Sequence, residues 1–208
     1  MKAIERIICL IAVSLSLTAC GKTIDWKQEV KLHDGRVIVV DRKSKQDKII
    51  LPEKQTIEVW QRLAFTQPGT SAPIEFELPK GLRIWLLDFE GDAAYAVLKP
   101  ASVADYNTWG CPSPPWIAYR YRQGSWQQIA FTELPMMFKK PNIMPAAASD
   151  EVITKDGLVT ATEFETFLNR SDSSFQTISR EKVNPIAKGC FDDVLVKQGR
   201  QSEIDYRR

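Results

Sequence analysis

Few side chains in this chain have the type and spacing to do chemistry. Its single histidine, His33, stands beside Asp34 in His33-Asp34-Gly35. An imidazole next to a carboxylate suits a general base, yet no serine or cysteine is brought to it. Asp34-Gly35 is also a strong signal for a tight hairpin turn. His33 is therefore expected as a solvated turn residue, and Ser-His-Asp or Cys-His catalysis is poorly supported. Asp88, Glu90 and Asp92 alternate around Gly91 and could offer oxygens to calcium. The commoner use of such residues is a polar hairpin turn.

Asp156-Gly157 with Glu163 looks like the second half of an EF-hand loop. Its first and third positions would be Val152 and Thr154, which cannot supply the carboxylates calcium needs. A turn leading into a capped helix is expected instead. Six tryptophans (Trp26, Trp60, Trp85, Trp109, Trp116 and Trp126) could include a sugar-stacking platform. Most stand at strand spacing, where aromatics pack across strands. Trp109, beside Cys111, is the candidate for ligand contact. No metal site and no cofactor are expected.

The strongest chemical signal lies near the N-terminus. Lys2 and Arg6 precede an apolar run from Ile7 to Leu17, and small residues lead to Cys20. That run is far shorter than the roughly 20 residues of a spanning helix. Leu17-Thr18-Ala19-Cys20 resembles the lipobox of bacterial lipoproteins. The resemblance implies a diacylglyceryl thioether on Cys20, cleavage before it and acylation of the new amino group. Several acyl chains anchor a protein where one holds it only marginally. With Gly21 and Lys22 in place of an Asp after the cysteine, the resemblance implies the outer membrane.

If Cys9 leaves with the signal and Cys20 is acylated, Cys111 and Cys190 remain as a pair in an oxidising compartment. A disulfide between them is expected. Closing a loop of about 80 residues stabilises by roughly 4.5 kcal/mol in the chain-entropy model. Lys+Arg 28 against Asp+Glu 26 leaves no global field for nucleic acid. The expected organisation is a signal peptide over 1–19, a lipidated anchor over 20–23, one mainly-β domain over 24–196 and a frayed polar tail over 197–208.

Period-two alternation marks strands over Thr23–Leu32, Thr56–Phe65 and Ile74–Leu78, and Arg36–Asp41 returns from the Asp34-Gly35 turn as a more buried strand. Leu82–Phe89 with Ala93–Leu98, and Trp116–Arg122 with Ser125–Phe131, read as two further hairpins. Arg42–Lys48 reads as a solvated basic connection, and Lys99–Pro115 as a long loop. Thr160–Arg170 reads as the one good helix, capped by Thr160 or Thr162 and apolar at Phe164, Phe167 and Leu168. Val194–Val196 reads as a last short strand. These elements predict an antiparallel sandwich or meander with one packed helix near 160–170; a propeller-like arrangement is the alternative.

Trp26-Lys-Gln-Glu-Val-Lys-Leu-His-Asp-Gly-Arg36 and Cys111-Pro-Ser-Pro-Pro-Trp116 carry a second resemblance. With the lipobox, they look like a group of uncharacterised Gram-negative lipoproteins, which brings no activity to carry over. The chain is expected to be a lipid-anchored, non-enzymatic envelope protein, a binding or structural module whose candidate partners are an envelope protein or glycan. A carboxylate-based cell-wall hydrolase is the alternative, since such chemistry needs only two acids.

Overall fold

The computed structural model describes residues 22–50, 54–146, 157–172 and 175–181. Two sheets form. In the first, β1 (Lys22–Lys31), β2 (Val37–Ile50), β3 (Lys54–Thr66) and β4 (Pro73–Glu77) run antiparallel. A short β9 (Leu158–Val159) joins the free side of β1 in parallel, so the order is β4-β3-β2-β1-β9. The second sheet is the meander of β5 (Leu82–Glu90), β6 (Ala93–Pro100), β7 (Ile117–Arg122) and β8 (Ser125–Ile129). The expected mainly antiparallel sandwich is the fold, and the strands form two sheets rather than propeller blades.

The inward residues of both sheets make one core. Val30, Leu63 and Phe65 from the first sheet meet Ile84, Leu87 and Phe89 from the second. Burying each such side chain contributes about 1.5–3 kcal/mol. The outer face of the second sheet is covered as well: Trp85, Tyr95 and Val97 pack under Leu134, Phe138 and Ile178. Strands covered on both sides have no need for polar alternation, which is why β5 and β6 read as continuous apolar runs.

The helix α2 (Ala161–Arg170) lies where the apolar stripe placed it. Phe164 and Leu168, four residues apart, pack with Trp26, Met144 and Val159. Thr160 is its cap. Thr160 Oγ accepts the Glu163 N–H at 3.2 Å, and the Glu163 carboxylate accepts the Thr160 N–H at 2.7 Å. Glu163 is thus engaged at the helix start, while Val152, Thr154 and Asp156 lie outside the described residues.

Two expected loops contain structure. β2 runs through 42–48 to Ile50, because alternation after Val40 turns Arg42 and Ser44 inward, where both are buried. A polar run can hide a strand when its inward partners are polar too. In the stretch expected as a loop from Lys99, β6 extends to Pro100 and a helix α1 (Val103–Thr108) follows. Ser102 caps it by accepting the Asp105 N–H at 3.1 Å, and Val103 and Tyr106 are buried. Gly81, at φ 78°, lets α1 approach; a Cβ there would collide with the Asp105 side chain. Val194–Val196 and the tail lie outside the described residues.

Candidate functional site

At the end of β1 the chain turns through Leu32 and His33 beside one face of α2 and the segment 137–142. These enclose a cleft of about 590 Å³. Leu32, Phe138, Phe164 and Leu168 give it an apolar floor; Lys31, Lys139, Lys140 and Glu165 stand among its lining residues. Volumes of roughly 300–1,000 Å³ are usual for ligand sites.

His33 is not the solvated turn residue its sequence context suggests. Its Nδ1 lies 2.8 Å from Asp88 Oδ1, and its backbone N–H donates to Asp88 Oδ2 at 2.9 Å. The Phe89 N–H donates to Asp88 Oδ1 at 2.8 Å. With Asp88 ionised, Nδ1 carries the proton, and Nε2 is the remaining ring nitrogen. The ring meets Phe138 edge-on at 5.2 Å, and the side chain is 27% exposed. Asp88, expected in a polar hairpin turn, is instead buried within β5. Burial raises its carboxyl above the ordinary carboxylate range, opposed by the hydrogen bonds from His33 and Phe89.

Asn142 fixes the far wall. Its side chain accepts the Leu87 N–H at 2.9 Å and donates to the Leu87 and Lys31 carbonyls at 2.8 and 3.1 Å. Its own N–H donates to the Trp85 carbonyl at 3.0 Å. One amide therefore ties the free edge of β5 to the end of β1, and so one sheet to the other.

Chemically, His33 and Asp88 supply a base and its orienting carboxylate. Among the described residues lining the cleft there is no serine, threonine or cysteine. The second carboxylate, Glu165, is paired with Lys31 at 3.3 Å. Asp88 already accepts three hydrogen bonds. The cleft thus offers positive charge and apolar surface more readily than a pair of acids held apart for hydrolysis. Among the described residues, no group of three or more His, Cys, Asp or Glu is placed to hold a metal ion.

The other sequence candidates lie apart from the cleft. Trp109 closes α1, packs against the inter-sheet core and donates from Nε1 to the Lys80 carbonyl at 3.2 Å. Cys111 follows at φ 53°, its N–H donating to the Tyr106 carbonyl at 3.0 Å. Cys20 and Cys190 lie outside the described residues.

A second polar cluster is sealed in the first sheet. Arg42 Nη1 donates to Gln28 Oε1 at 3.0 Å and to the Met144 carbonyl at 2.5 Å, and Nη2 donates to Gln61 Oε1 at 2.9 Å. The guanidinium stacks over Trp26 at 4.7 Å. Burial pushes its pKa down to about 9, opposed by Glu58. Sequence reading missed both clusters. The signal for the cleft was Asp88 itself, one carboxylate inside an apolar run, since a buried charge requires a partner.

Comparison with family models, with curated proteins and with solved structures finds no match to this chain.

Proposed function

We propose that this chain is an envelope lipoprotein, anchored through acylated Cys20, that uses the cleft beside His33 to bind an envelope partner. The observation carrying this reading is the position of the two features on β1. The strand begins at Lys22, two residues after Cys20, and ends at Lys31 on the cleft wall. At about 3.3 Å per residue, β1 spans about 30 Å. A lipid on Cys20 would hold one end of the first sheet against the bilayer and carry the cleft about that far from it. The binding site would then face what lies above the anchoring membrane, the outer membrane on the lipobox reading.

The same reading includes a Cys111–Cys190 bridge, formed in an oxidising compartment and closing the region after α1. One measurement tests both modifications. The intact, unreduced chain purified from membranes is expected to begin at Cys20 and to carry acyl mass there. It should be two hydrogens lighter than its dithiol form. Unmodified mass at Cys20, with processing unchanged in a Cys20→Ser variant, would overturn the anchor; two alkylatable thiols would overturn the bridge.

A further inference from the structure

We propose, resting on the binding-module reading above, that the cleft takes an acidic peptide segment that also bears large apolar side chains, presented by a protein partner. Charge complementarity points to the acid. Of the carboxylates in the lining, Glu165 is held by Lys31 at 3.3 Å, and Asp88 accepts hydrogen bonds from His33 and Phe89. Lys139 and Lys140 have no ion-pair partner among the described residues, and they add two positive charges to the lining of the cleft. Their backbone is fixed, since the Lys139 carbonyl accepts the Ile178 N–H at 2.8 Å.

Apolar surface points to the rest of the ligand. The floor is formed by Leu32, Phe138, Phe164 and Leu168. Met136 and Met137, on the segment that carries the two lysines, are 66% and 44% exposed. Exposed methionines suit peptide surfaces because their flexible, polarisable side chains adapt to the side chain they meet. A free inorganic anion would leave most of 590 Å³ unfilled, since even a water takes only about 30 Å³. The roughly 30 Å along β1 from the proposed anchor argues against lipid of the anchoring membrane as the occupant.

The test is selection of a displayed random peptide library on the full mature chain held in phosphatidylcholine nanodiscs. Enrichment of peptides combining Asp or Glu with Leu, Phe or Trp is expected. Affinity of a selected peptide should fall at least tenfold in Lys139→Glu/Lys140→Glu. It should hold in Lys43→Glu, on the outer face of the first sheet, with unchanged melting temperatures in both. Enrichment of basic or neutral peptides, no enrichment, or affinity unmoved by the double reversal would overturn the proposal. So would saturable binding of peptidoglycan fragments without acidic-peptide enrichment, which would identify a glycan site. Should the chain carry no acyl groups, the same selection is run with residues 20–208 immobilised through a C-terminal tag, so that loss of the anchor leaves it readable, and a failed selection leaves the acylation result standing.

Discussion

Arg42 and Asp88 are each 2% exposed, yet their charges meet different surroundings. Arg42 sits among Gln28, Gln61 and the Met144 carbonyl, supplied by β1, β3 and the segment after β8, with Trp26 across its face. All three partners are neutral, and Gln61 in turn donates to half-buried Glu58. Asp88 is instead hydrogen-bonded to His33, whose ring is 27% exposed and lines the cleft. Equal burial thus gives an internal cross-tie in one place and a polarised cleft wall in the other. What separates them is the partner, an amide network against an imidazole at the surface.

The comparison predicts unequal costs. Arg42→Met, which keeps apolar volume but removes the cation, should lower unfolding free energy by about 3–5 kcal/mol. It strands the buried oxygens of Gln28 and Gln61 and the Met144 carbonyl, at about 1–3 kcal/mol each, less the relief of no longer burying a cation. Urea denaturation reads this directly, and a loss below about 1 kcal/mol would mean that the cluster is not a sealed tie.

Lys99 sharpens the contrast as a buried cation set against rings. Its Nζ lies 4.7 Å from the Phe175 ring centre and 5.5 Å from that of Trp116, and burial pushes its pKa down to about 8 from 10.5. Below pH 8 the amine is protonated in both states, and its burial weighs fully against folding. Between 8 and 10.5 the unfolded chain holds the proton longer, so this contribution to stability rises with pH. The advantage of Lys99→Met over the parent chain should therefore shrink by up to about 3 kcal/mol between pH 7 and pH 10.5. A difference independent of pH would show that the amine is solvated.

The smallest effect belongs to the open site. Asp88→Ala strands the His33 and Phe89 N–H groups and should cost about 1–3 kcal/mol. Asp88→Asn, which retains an acceptor, should recover part of it. Should Asp88→Ala cost more than Arg42→Met, the ordering of sealed tie over cleft wall would be inverted.

Much of the architecture was legible in short-range pattern. Alternation located β1 and β4, apolar runs flanking Gly91 located β5 and β6, Asp34-Gly35 located the first turn, and Thr160, Phe164 and Leu168 located α2 with its cap. Each of these is a local rule, satisfied within one turn or one strand pair. The candidate site was scarcely legible, because its parts stand far apart in sequence. His33 meets Asp88 across 55 positions, and Asn142 reaches Lys31 across 111.

By itself the sequence determined the local elements and the chemistry available to them. It provided one imidazole, a cysteine at the end of an apolar run, a carboxylate inside another such run and lysines among methionines. Tertiary structure decided which of these meet. It turned Arg42 and Ser44 inward, drew His33 out of water onto Asp88, and set Lys139 and Lys140 beside α2. The physical reason lies in burial. A polar group removed from water must find its partner wherever the packed sheets bring one, and local periodicity carries no record of that distance.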